Sequence, residues 1–154
     1  MSNPDGSLQT LARGLQRRTM RIFIVENHPD TLECLRRHLL RAGHEVETAQ
    51  TCADALRDLP AKPCDLLLTD LGLPDGDGWT LLENLGAARP PLAVAMSGRH
   101  SPADCARSRE AGFQHHLAKP FLPAELDGML HEITRTLKLV APIAERLNIA
   151  AADD

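Results

Sequence analysis

Three short segments of this chain, RIFIV (residues 21–25), DLLLTD (65–70) and LAVAM (92–96), carry almost uninterrupted apolar runs, and they constrain the fold more than any other feature. A strand with one solvated face alternates apolar and polar residues. A strand covered by helices on both faces does not, so these runs point to a parallel sheet inside a doubly wound α/β architecture. The stretches between them supply the helices. Residues 30–42 place Leu32, Leu35, Leu39 and Leu40 at helical spacing ahead of Gly43, and residues 51–59 read as a short helix stopped by Pro60. A third helix is expected over 77–87 and a fourth over 102–111, capped by Ser101 and stopped at Gly112. HEVET (44–48) and HHLA (115–118) read as two further strands, and 123–139 as the last helix. Right-handed crossovers and short loops then predict a flavodoxin-like (βα)5 sheet with strand order 2-1-3-4-5.

The length of 154 residues suits one domain, expected over 20–140. Residues 1–19 form a leader in which Leu8, Leu11 and Leu15 recur at helical spacing among Arg13, Arg17 and Arg18, read as disordered or a short helix; 141–154 form a tail after the last helix. A net charge of −4 argues against nucleic-acid binding. With no long apolar span and no signal-peptide pattern, the expectation is a cytoplasmic protein without membrane contact. Cys34, Cys52, Cys64 and Cys105 are too scattered to suggest a metal site or a disulfide framework, and read as reduced thiols.

In open α/β sheets, ligands bind at the carboxyl edge of the strands. Four strand ends bring polar residues to that edge: Glu26 and Asn27 after the first, Asp70 at the third, Ser97 after the fourth and Lys119 after the fifth. Each alone has an ordinary explanation, as a helix cap, a loop serine or a solvated cation. Their convergence does not. His115-His116 is not read as a metal site, because adjacent strand residues face opposite ways. Trp79 is read as a packing residue, and the segment around Asp75 lacks the ligand spacing of a calcium loop.

The segments IFIVENHPDT, DLLLTDLGLPDGDGW, AMSG and AGFQHHLAKPF stand in the order and at the spacing of the receiver domain of two-component response regulators, and the chain resembles that family over roughly residues 20–139, in the style of receivers attached to hybrid kinases. The resemblance implies that Asp70 is a phosphoacceptor, served by a partner histidine kinase or phosphotransfer protein. It implies that Lys119 pairs with Asp70 and then with a phosphoryl oxygen, followed by a cis peptide bond to Pro120. Ser97 and His116 take the positions of the two switch side chains. Mg²⁺ would be held by Glu26, Asn27, Asp70 and the backbone carbonyl of Gly72. Such a domain is not an enzyme beyond its own phosphorylation and dephosphorylation. It acts on a downstream protein, and the face made by the fourth helix, fifth strand and last helix is the expected homodimer surface.

One departure stands out. The family usually has two adjacent acids where this chain has Glu26-Asn27, so one carboxylate near the metal is missing. The alternative reading is therefore a receiver-like interaction module independent of phosphorylation, in which Asp70 and Lys119 persist as a structural ion pair. An unrelated flavodoxin-like enzyme is disfavoured, because the loop after the first strand lacks a glycine-rich phosphate cradle.

Overall fold

The computed structural model describes residues 19–136. Five parallel strands, β1 (Arg21–Val25), β2 (Glu45–Ala49), β3 (Leu66–Asp70), β4 (Leu92–Ser97) and β5 (His115–Ala118), form one sheet in the order β2-β1-β3-β4-β5. The predicted strand order is the observed one. Five helices connect and follow them: α1 (Pro29–Arg41), α2 (Cys52–Asp58), α3 (Gly78–Asn84), α4 (Pro102–Ala111) and α5, helical over residues 123–136.

The apolar runs are the strands with two covered faces. In β1, β3 and β4 nearly every residue is buried, whereas the edge strand β2 is half-exposed and alternates, with Glu45 and Glu47 outward and Val46 and Thr48 partly covered. Because successive strand side chains point to opposite faces, each central strand feeds two cores. Ile22, Ile24, Leu66, Leu68, Val94 and Met96 pack against α1 and α5. On the other face Phe23, Val25, Leu67, Ala93 and Ala95 pack beneath α2, α3 and α4.

Helix starts follow local chemistry. Thr51 Oγ1 accepts from Asp54 N at 3.1 Å to open α2, Asp77 Oδ1 from Thr80 N at 2.7 Å to open α3, and Ser101 Oγ from Asp104 N at 3.1 Å to open α4. α1 has no side-chain cap and begins with a proline, whose missing N–H would be unpaired there in any case. Two features differ from expectation. α3 ends at Asn84 rather than near Ala87, because Gly86 takes a positive φ of 53° and the chain tightens into a 3₁₀ turn over Gly86–Ala88. Between β3 and α3 lies a small antiparallel hairpin, Gly72–Leu73 against Gly76–Asp77, which no sequence periodicity announces. The expected leader and tail, and the end of the last helix, lie outside the described residues.

Candidate functional site

Backbone bonds carry the sheet past its strand ends and hold the carboxyl edge together. Glu26 N donates to Ala49 O at 3.1 Å, Leu71 N to Met96 O at 3.0 Å and Lys119 N to Ser97 O at 2.8 Å. Gly78 closes the floor beneath Asp70: a Cβ there would stand 2.6 Å from the Asp70 carbonyl oxygen, so only glycine lets α3 approach so closely.

On this edge Lys119 joins the two acids. Its Nζ donates to Glu26 Oε2 at 2.6 Å and to Asp70 Oδ2 at 3.0 Å. The remaining oxygens are also engaged, since Glu26 Oε1 accepts from His28 N at 3.3 Å and Asp70 Oδ1 from Gly72 N at 3.1 Å. Glu26 is only 1% exposed. That burial, with the Asp70 charge adding to it, pushes the Glu26 carboxyl above its ordinary value, against the hydrogen bond from Lys119. For Lys119 burial works downward, but the hydrogen bonds to Glu26 and Asp70 outweigh it and hold the ammonium above its ordinary value. The side chain is therefore a fixed cation between two strand-end carboxylates. The Lys119–Pro120 peptide bond is cis.

Ser97 lies at the end of β4, buried, its Oγ accepting from Arg99 N at 2.8 Å. His116, half-buried on β5, pairs with Ser108 Oγ through Nδ1 at 3.1 Å and with the Arg99 carbonyl through Nε2 at 2.9 Å. Asn27 is exposed beside Glu26. Gly72 sits on the hairpin, two residues beyond Asp70.

Among the described residues no group of three or more His, Cys, Asp and Glu side chains could enclose a metal ion unaided. The carboxylates of Glu26 and Asp70 meet at Lys119, with Asn27 next to Glu26 and Gly72 two residues beyond Asp70, and the donors these four residues carry are all hard oxygens. They suit Mg²⁺, which keeps several waters and takes one or two carboxylates. With Lys119 charged, Glu26, Asp70 and Lys119 leave one net negative charge to attract it.

Three contributors escaped the sequence reading. Asp75, in the hairpin turn, accepts from Cys52 N at 2.8 Å and Ala53 N at 2.9 Å, tying the segment that carries Asp70 and Gly72 to the start of α2. Those N–H groups, Ala53 first, hold its carboxyl below the ordinary value. Trp79 is buried as expected, but its Nε1 also donates to Ser108 Oγ at 2.9 Å. Ser108 was readable only as a hydroxyl three residues before Ala111, hence on the buried face of α4.

Residues 22–131 match the response regulator receiver domain family. The transcriptional regulatory protein KdpE of Mycobacterium tuberculosis is 30% identical over 128 residues, spanning 80% of this chain and 57% of that protein. The transcriptional activator protein IrlR of Burkholderia pseudomallei is 33% identical over 116 residues, spanning 75% of this chain and 51% of that protein. The chain thus spans about half the length of the curated relatives it matches. A CheY-like receiver domain protein from Methanospirillum hungatei superposes with a TM-score of 0.71 at 29% identity, covering 77% of this chain and 95% of that one. A receiver domain from Leptospira biflexa, HemR in its non-phosphorylated form, gives 0.69 at 27%, covering 74% and 93%.

Proposed function

The chain belongs to the response regulator receiver family of two-component signalling, and from that membership we propose that Asp70 accepts a phosphoryl group from a phosphohistidine on a histidine kinase or phosphotransfer protein. The observation that carries this reading is the Lys119 bridge between Glu26 and Asp70 at the carboxyl edge of three strands.

An Asp70 carboxylate oxygen forms a bond to phosphorus as the bond from phosphorus to the donor imidazole breaks. The ring nitrogen leaves with the electron pair and takes up a proton. Negative charge spreads over the three equatorial oxygens during this step, so catalysis is largely positioning and cationic stabilisation. Lys119 is held within reach of the nucleophile and exchanges its bond to Asp70 for one to a phosphoryl oxygen. Ser97 supplies a hydroxyl from the neighbouring strand end. Mg²⁺ bound by Glu26, Asn27, Asp70 and the Gly72 carbonyl would offset charge on both the nucleophile and the incoming group. The cleft beside Lys119, lined by Thr31, Cys34, Leu35, Phe121 and Leu126, offers the donor protein a largely apolar surface. The phosphorylated domain then engages a downstream protein from the cytoplasm.

Incubation with Mg²⁺ and acetyl phosphate, followed by intact-mass measurement, tests the reading. Wild type gains the mass of one phosphoryl group and Asp70→Asn gains none. A wild type left unmodified favours the phosphorylation-independent interaction module, in which the same three charges form a complete structural ion pair.

A further inference from the structure

Trp79, Ser108 and His116 form a chain of hydrogen bonds that has only one consistent direction for the neutral ring. An indole N–H can only donate, so Trp79 Nε1 gives its hydrogen to Ser108 Oγ at 2.9 Å. At the far end the Arg99 carbonyl can only accept, so His116 Nε2, 2.9 Å away, carries the ring hydrogen. That leaves Nδ1 as an acceptor, and the Ser108 hydroxyl donates to it across 3.1 Å. The indole orients the hydroxyl, the hydroxyl fixes the tilt of the ring, and the ring, in the tautomer the Arg99 carbonyl selects, holds that carbonyl. Ser108 is 1% and Trp79 5% exposed, so water does not replace a lost partner. The Arg107 guanidinium roofs the indole 4.0 Å from the ring centroid.

The loop so held is the one that follows Ser97. Arg99 is tethered through its carbonyl by His116, and its N–H donates to Ser97 Oγ at 2.8 Å. The hydroxyl that the proposed function requires for the phosphoryl group is thus held in place through its oxygen, by a residue whose position is set from α3 and α4. We infer that Trp79 and Ser108 are positioning residues of this site: through His116 they hold Arg99 against the Ser97 hydroxyl and so latch the unphosphorylated state. The inference rests on the phosphoacceptor reading. Ser97 turns toward a phosphoryl group on Asp70 only as Arg99 gives way, and every bond in the chain opposes that movement. Weakening the chain therefore favours the phosphorylated conformation, the opposite of what loss of a merely structural contact does to ligand binding.

The test is titration with beryllofluoride, a phosphoryl mimic, in the presence of Mg²⁺, followed by the amide resonances of Ser97 and Gly98. Ser108→Ala and Trp79→Phe, the second keeping a ring in the packed position, bind it about fivefold more tightly than wild type, the equivalent of one ordinary hydrogen bond removed from the latched state. In a Ser97→Ala background the gain disappears, because there is no hydroxyl to release. Nitrogen chemical shifts of the His116 ring give a readout that needs no ligand, with the hydrogen on Nε2 in wild type and the Nδ1 resonance shifted in Ser108→Ala, where its hydrogen bond is lost. Binding that both variants leave unchanged or weaken overturns the latch alone. Binding absent in wild type, or equal in wild type and Asp70→Asn, overturns the phosphoacceptor reading and the latch with it.

Discussion

A single methylene separates Glu26 from the aspartate usual in the resembling family, and here that longer side chain reaches Lys119 at 2.6 Å while Asn27 stays exposed beside it. The proposed metal site would therefore have an amide where a second carboxylate would raise the attraction for a dication. Asn27→Asp should tighten apparent Mg²⁺ affinity by more than about fivefold, beyond the ~1 kcal/mol of an ordinary surface charge pair, because the added charge acts on a doubly charged ion at short range. Thermal melts across a Mg²⁺ titration measure it: the variant melts lower without metal and recovers with it, and an unchanged affinity places Asn27 away from the ion. A second residue reports on pH. His44 Nδ1 accepts from Met20 N at 3.1 Å, and burial holds the imidazole below its ordinary value of 6.5, against the pull of the Asp127 charge. The fold accepts the neutral ring, so this stabilisation is complete above about pH 6.5 and is lost as pH falls through the lower folded value, where the unfolded chain already binds the proton. Stability measured by urea unfolding should thus drop below pH 6.5 in wild type, and drop less in His44→Asn, whose amide oxygen accepts the same hydrogen without titrating.

At the level of elements, agreement between sequence and structure followed local chemistry. The α4 limits, Pro102 to Ala111 between Ser101 and Gly112, were legible because a hydroxyl cap and a left-handed glycine each leave a residue signature. The Gly72–Asp77 hairpin was not, since two-residue strands are too short to show alternation and Asp75 acts on the distant α2. Nor was the Trp79–Ser108–His116 chain, because a tryptophan and a helical serine are ordinary in isolation and only tertiary contact sets their N–H and hydroxyl against each other. Gly112 shows how much one such position can carry. It holds a φ of 108°, and Arg89 crosses it to donate from Nη2 to Ala111 O at 2.6 Å, so a Cβ there would fall 1.4 Å from that nitrogen. Gly112→Ala adds backbone strain and expels the guanidinium, an expected loss of about 2–3 kcal/mol in chemical denaturation. Combining it with Arg89→Ala separates the two causes. If strain alone acts, the double variant loses the full sum of the single effects; if the collision contributes, it loses less.

Across the whole molecule, the sheet brings charges from β1, β3 and the end of β5 to one point, and the three residues are 93 and 49 positions apart along the chain. The doubly wound order makes this possible: β1 and β3 are neighbours, and β4 lies between β3 and β5. That coupling makes Lys119 part of stability as well as of the proposed phosphoryl transfer. Its side chain is 24% exposed, with Glu26 at 2% and Asp70 at 14%, so the pair is screened only in part. Lys119→Met keeps most of the stem but leaves two carboxylates facing each other with no cation, and breaking such a buried network costs up to about 3–5 kcal/mol, less here by whatever water reaches Asp70. In metal-free buffer the variant should melt well below wild type. Adding millimolar Mg²⁺ should narrow the gap, because the variant site carries one more net negative charge and binds the ion more tightly, and a ligand taken up by the folded state alone stabilises it in proportion to the logarithm of its concentration over Kd. A gap that Mg²⁺ leaves unchanged would mean that Glu26 and Asp70 do not share an ion, and that Lys119 is the only cation this edge of the sheet is built to hold.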